Sequence, residues 1–147
     1  MKRIRRILFA SDFSAASRPA FAKALDMARA LRAELILTHA FSMVVPVTGM
    51  YMTAVTWDTI EGEARVAAQK QLDRLHRAAR KAGVRAATVV VEGLAADQIV
   101  RVAKARRADL IVMGTHGRTG LSKMVMGSVA TRVSASAPCP VMIVRGR

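Results

Sequence analysis

Short apolar runs alternate along this chain with longer stretches whose apolar residues recur every three or four positions. Residues 6–10 (RILFA) read as a strand that ends in the polar turn Ser11-Asp12-Phe13-Ser14. Phe21, Leu25, Ala28 and Leu31 then share one helical face. Pro19 is tolerated only near a helix start, which places that start between Ser14 and Ser17. Residues 34–40 (ELILTHA) form a second strand, apolar enough to be covered on both sides. Residues 41–58 have no clean period and hold Pro46 and Gly49, so they read as a long loop. A helix over 59–82 follows, with Ala68, Leu72, Leu75, Ala79 and Ala82 inside and Arg74, Arg77, Arg80 and Lys81 in water. Gly83 stops it.

The remaining pattern is a strand at 85–92, a helix at 95–106, a strand at 109–113, a glycine-rich loop at 114–126, a helix at 128–136 and a last strand at 140–144. This order predicts an α/β fold: an open parallel sheet with helices on both faces, joined by right-handed crossovers. No internal repeat or low-complexity linker interrupts it, so residues 1–147 read as one domain.

Composition narrows the class. Apolar residues make up 52% and the mean hydropathy is +0.24, which excludes a disordered chain. The lone cysteine, Cys139, excludes a disulfide framework and a multi-cysteine metal site. Flanked by prolines, it reads as structural. Residues 35–57 carry no formal charge, but His39, Pro46 and Gly49 argue for a buried strand and loop over a membrane span. The apolar run after Met1-Lys2-Arg3 is too short for a secretory signal, so a soluble cytoplasmic protein is expected.

Charge is lopsided: 24 Lys and Arg against 10 Asp and Glu, net +14. That balance favours polyanionic partners. Residues 65–107 hold eleven basic side chains and three acids, spread over at least two helices. A nucleic-acid reader needs a basic stripe on one face, so binding to nucleic acid is expected to be non-specific at most. Aromatics at 4% argue against stacking platforms for single strands.

In open α/β sheets, ligands bind outside the carboxyl ends of the strands. Ala10 ends the first strand and Asp12 follows it; Ala40 ends the second; Met113 ends the fourth. The loop GTHGRTGLSKMVMGS then runs from Gly114 to Ser128. Gly114 and Gly117 leave a strand, Arg118 and Lys123 supply charge, and Gly127 precedes Ser128, the expected N-cap of the next helix. Closely spaced glycines serve tight turns, and they also let backbone N–H groups approach a phosphate. A helix start adds orphan donors and a positive dipole end. The phosphate-loop pattern GxxxxGK[ST] and the dinucleotide pattern GxGxxG are both absent. His116 reads as a turn cap, His39 as a satisfied buried histidine and His76 as solvated. Met43, Met50, Tyr51, Met52 and Trp57 give the long loop apolar surface, as a lid, a packed flap or a partner site.

The spacing Gly-x2-Gly-x9-Gly-Ser at Gly114, Gly117, Gly127 and Ser128 resembles the ATP-binding signature of the universal stress protein family. The opening ILFASDFS at 7–14, the strand DLIVMG at 109–114 and the APCPV segment at 137–141 resemble the same family, so the likeness spans the chain. It implies a five-stranded sheet of order 3-2-1-4-5, Rossmann-like and similar to adenine nucleotide alpha-hydrolases. It also implies a homodimer paired through the strand at 140–144. Asp12 matches the acidic residue beside the ribose or a bound divalent ion, Mg or Mn. Ala40 matches the position whose backbone reads the adenine edge, and Gly114 and Gly117 match the ribose and phosphate turn. Gly127, Ser128 and Val129 match the helix start that cradles phosphates. Some members carry proline where Ala10 stands, so the adenine-side wall differs in shape. Some members lack the glycines and do not bind ATP; this chain keeps them.

The expected function is a stress-response module that binds ATP, or AMP or ADP, and acts as a sensor on an unidentified protein partner. No motif places a general base or a nucleophile, so slow hydrolysis at most is expected. The rival readings are an ATP-independent dimeric interaction protein of the same fold and a non-specific nucleic-acid binder.

Overall fold

A computed structural model describes residues 2–43, 54–115 and 126–146. The elements are β1 (Arg6–Ala10), a 3-10 turn (Ala15–Ser17), α1 (Arg18–Leu31), β2 (Glu34–Phe41), α2 (Ala54–Lys81), β3 (Ala86–Glu92), α3 (Ala95–Ala105), β4 (Leu110–Gly114), α4 (Ser128–Ser136) and β5 (Val141–Val144). All four strand pairs are parallel and the sheet order is β3-β2-β1-β4-β5. The predicted fold class and strand order hold.

Strand alternation makes two cores. Ile7 and Phe9 of β1 join Leu35, Leu37 and Val112 beneath α1 and α2. Leu8 and Ala10 join Ile36, Ile111 and Met113 beneath α3 and α4. Both faces of β1 are therefore fully packed, which is why its sequence shows a continuous apolar run.

The inward face of α1 differs from the expected one. Ala20, Ala24 and Ala28 are buried, Phe21 and Leu25 flank them half-buried, and Leu31 is exposed. Small side chains let the helix sit close over a sheet face already filled by Ile7, Phe9 and Leu35. Phe21 then meets the Phe9 ring at 5.5 Å between centroids. Helix α2 starts at Ala54, five residues ahead of the expected start. Val55, Thr56 and Trp57 are weak helix formers and hid that start from a propensity reading. Most of the expected loop and lid, with Met50, Tyr51 and Met52, lies outside the described residues. His76 is not merely solvated: it is half-buried and its Nε2–H donates to the Ala86 carbonyl at 3.0 Å, tying α2 to β3. Gly83, with φ +77°, ends α2 in the left-handed conformation that costs glycine least.

Asp109 closes the other end of the sheet. Its carboxylate accepts the backbone N–H groups of Arg5 (2.9 Å) and Arg6 (3.1 Å) and pairs with Lys2 at 3.0 Å. Burial opposes its ionisation, and these donors outweigh burial and hold its pKa below the ordinary value. Burial pushes the Cys139 thiol up, in keeping with a structural cysteine. Among the described residues, no helix is long and apolar enough to cross a membrane.

Candidate functional site

The sheet order reverses direction between β1 and β4, and a cavity of about 350 Å³ lies just beyond their carboxyl ends. This is where the crossover geometry leaves a crevice: the α1 and α2 connections go to one face, the α3 and α4 connections to the other. Ala10 at the end of β1, Asp12 just after it, Ala40 in β2, Met113 and Gly114 in β4, and Gly127, Ser128 and Val129 at α4 all line it. Gly117 and Arg118, together with His116 and Lys123, lie outside the described residues.

The turn after β1 is held by its own hydroxyls. Ser11 N–H donates to the Thr38 carbonyl at 2.9 Å, which extends the β1–β2 pairing one residue past the strand. Asp12 Oδ1 accepts both Ser14 N–H (2.9 Å) and Ser14 Oγ–H (2.6 Å), a local turn of the Asx kind. Ser11 Oγ accepts Phe13 N–H at 3.0 Å, and Ser17 Oγ–H donates to the Ser14 carbonyl at 2.8 Å. His39 is buried; its Nδ1–H donates to the Ser11 carbonyl at 2.8 Å, and its ring stacks on Phe13 at 4.3 Å. It braces the turn from behind, as expected of a satisfied histidine.

Gly114 ends β4 against this turn. A Cβ there would stand 3.3 Å from the Ala16 carbonyl oxygen, closer than a side chain comfortably sits. Close backbone approach thus favours glycine here, since a side chain would push the Ala16 carbonyl back by a few tenths of an ångström.

The cap of α4 is Gly127, not Ser128, which occupies the first helical position. Gly127 has φ −59° and ψ 155°, and its carbonyl accepts both Thr131 N–H and Thr131 Oγ–H at 3.0 Å. Its own N–H donates to the Thr115 carbonyl at 2.7 Å, fastening the helix start to the end of β4. Among the described residues, no side chain caps the helix. The N–H groups of Ser128, Val129 and Ala130 have no intrahelical acceptor by helix geometry, and all three residues line the cavity. Ala95, in the first turn of α3, lines it too. Two helix starts therefore bring positive dipole ends to one cavity.

The walls are largely apolar: Ala10, Ala40, Ile99, Met113 and Val129. An apolar slot beside a row of backbone donors suits a flat base joined to an anionic group. A metal ion is less provided for. The described residues contain no cluster of three or more metal-ligating side chains, and Asp12 is the one carboxylate among the described lining residues. Such a set fits an ion held mainly by phosphate oxygens and water.

Thr38 was not anticipated as a lining residue, nor were Ser11, Ser17, Ala95, Ile99, Thr115 and Ala130. The sequence signal for Thr38 is a hydroxyl inside the apolar run LILTHA. Thr38 is fully buried, and its Oγ1 has no hydrogen-bond partner among the described residues. Thr38→Val keeps the shape and removes the orphan hydroxyl. It should stabilise the ligand-free protein by about 1 kcal/mol, read as a rise of a few degrees in the thermal midpoint. A fall would mean that the hydroxyl is satisfied.

Comparison with known proteins agrees with this geometry. The family model described as "Universal stress protein family" matches residues 3–145. Universal stress protein MJ0531 of Methanocaldococcus jannaschii is 35% identical over 141 residues, covering 96% of this chain and 82% of that protein. Universal stress protein UspA from Lactobacillus plantarum superposes with a TM-score of 0.81 at 24% identity, over 99% of this chain and all of that one. A universal stress protein solved in complex with cAMP superposes with a TM-score of 0.72 at 24% identity, again over 99% of this chain and all of that one. A family match over almost every residue, with the sheet order and the glycine-capped helix start in place, makes this chain a member of the universal stress protein family.

Proposed function

We propose that this protein binds an adenine nucleotide in the cavity between β1 and β4 and acts as a nucleotide-dependent sensor in the stress response. ATP is the ligand we favour, with ADP and AMP as shorter occupants of the same slot. The observation that carries the reading is the glycine-capped start of α4, whose first three residues, with backbone N–H groups that helix geometry leaves without an intrahelical acceptor, line an apolar-walled cavity. The base lies against Ala10, Ala40 and Met113, the ribose near Asp12 and Gly114, and the phosphates at Gly127, Ser128 and Val129. Gly117 is assigned to the phosphate turn by the resemblance, and Arg118 of the same loop is assigned to the phosphates by its charge. The cAMP complex of a structural neighbour supports an adenine nucleotide on this fold.

Mg or Mn would enter with the phosphates and take Asp12 as its protein ligand. Binding shifts a conformational or partner equilibrium by its differential affinity for two states. The second subunit is proposed to pair through β5.

Two measurements test the reading. Denaturing extraction of the purified protein, followed by mass spectrometry, should release an adenine nucleotide. Calorimetry on nucleotide-stripped protein should show ATP binding that guanine nucleotides do not reproduce. Stripped, folded protein that takes up no adenine nucleotide sinks the proposal.

A further inference from the structure

A parallel sheet with right-handed crossovers puts every strand start and every helix end on one side of the molecule, opposite the nucleotide cavity. Basic residues scattered through the sequence converge there. Lys2, Arg3, Arg5 and Arg6 lead into β1; Arg29 and Arg32 end α1. Arg80 and Lys81 end α2, and Arg85 precedes β3. Lys104, Arg106 and Arg107 end α3. All twelve are exposed. The only acids in these segments are Glu34 and Asp109, and both are engaged: Glu34 lies 3.8 Å from Arg6 and Asp109 is paired with Lys2. This one face holds ten of the chain's formal excess of fourteen positive charges.

The surface is contiguous. The Arg5 carbonyl accepts Glu34 N–H and the Arg85 carbonyl accepts Leu35 N–H, both at 2.8 Å, so the two arginines start strands on either side of β2. Arg6 reaches the Arg106 carbonyl at 3.4 Å. Helix dipoles favour a cation at each helix end. They give no reason for arginines at the starts of β1 and β3.

Backbone conformation adds an independent sign. Arg32 (φ 52°) and Arg107 (φ 51°) end α1 and α3 in the left-handed region, where α2 uses Gly83. Holding a side chain there is strained, and glycine would relieve it. Arginine stands at both positions, and both positions are on this face.

We propose that the face formed by the strand starts and helix ends binds the phosphate backbone of double-stranded nucleic acid without reading its sequence. Nine of the twelve cations are arginines, whose planar forks match phosphate oxygens two at a time. Segments 2–6, 29–34, 80–85 and 104–109 contain no aromatic residue, so single strands find nothing to stack on. Leu31 is the one exposed large apolar side chain in those segments, too little to enter a bilayer. These residues are dispersed over several helices in the sequence, and the crossovers gather them at one end. The proposal is independent of the nucleotide reading.

The test uses the full chain and two 30-base-pair duplexes of unrelated sequence, followed by fluorescence anisotropy. Both duplexes should bind equally. The logarithm of the association constant should fall with the logarithm of salt concentration with a slope of about −5, as for roughly six phosphate contacts. Arg32→Gly combined with Arg107→Gly should lower duplex affinity about tenfold with no loss of thermal stability. Lys23→Gln combined with Arg74→Gln, on exposed helix flanks, should change affinity less than twofold. Equal weakening by both double variants would mean diffuse net charge and overturn the assignment. So would unchanged affinity in the arginine-to-glycine variant, sequence discrimination that survives high salt, or tighter binding to phosphatidylserine vesicles than to duplex.

Discussion

Gly127→Asp should weaken ATP binding by two to three orders of magnitude while leaving the protein folded. Gly127 caps α4 with φ −59° and ψ 155°, a conformation any residue adopts. Aspartate is among the best N-cap residues, and its carboxylate would accept the N–H groups of Val129 or Ala130. Those are the donors a phosphate would use, so the substitution fills the anion site from within. It also sets a like charge against the incoming phosphates. Two such charges about 4 Å apart repel by ~4 kcal/mol at an effective dielectric constant of about 20. Calorimetry should therefore show ATP affinity lower by two to three orders of magnitude, with a thermal midpoint equal to or above the parent's. Gly127→Asn separates the two effects, since it caps without charge and should cost only about tenfold, in keeping with lost hydrogen bonds of about 1.5 kcal/mol. Parent-like ATP affinity in Gly127→Asp would place the phosphates elsewhere.

Ile143→Pro should convert a dimer into a folded monomer. Strand β5 lies at the edge of the sheet and pairs with β4 on one side. The Pro140 carbonyl accepts Ile111 N–H at 3.0 Å and the Val144 carbonyl accepts Thr115 N–H at 3.1 Å. The two-residue alternation then turns the Met142 peptide groups toward β4 and those of Val141 and Ile143 toward the outer edge. An edge this apolar is an association site unless covered, and the self-complementary solution is pairing with the same strand of a second copy. Proline at 143 removes an outward donor and spares the β4 ladder. Proline at 142 removes an inward one, orphans an acceptor on β4 and should destabilise the protein by roughly 1–3 kcal/mol. Light scattering should report about twice the 15.9 kDa chain mass for the parent and one chain mass for Ile143→Pro. A parent that stays monomeric at high micromolar concentration would refute edge pairing.

Much of the strand framework could be read in advance. β1 and α4 begin and end where the pattern puts them, β2, β3 and β5 differ by one residue at one end, and β4 is shifted by one residue at both ends. A doubly covered parallel strand must be apolar on both faces, and that requirement is local to the strand. Ala10, before the polar turn Ser11-Asp12, and Met113, before Gly114, were legible for the same reason: a strand that runs into a polar turn or a glycine announces its own end, whereas β2 continues past Ala40 to Phe41.

Other features belong to neighbours distant in sequence. Thr38, Ala95 and Ile99 line the cavity because the sheet order sets β2 beside β1 and α3 across its end. Nothing in their local pattern carries that adjacency. His76 looks solvated on its own helix, and the β3 carbonyl that it meets comes from ten residues further on. The cap of α4 moved from Ser128 to Gly127 because the Thr115 carbonyl holds the Gly127 N–H, a contact that bridges the whole glycine-rich loop. The basic face is the largest such case. Charge is additive along the sequence, but its direction is not, and the handedness of the crossovers carries arginines from five separate segment ends to one side of the sheet.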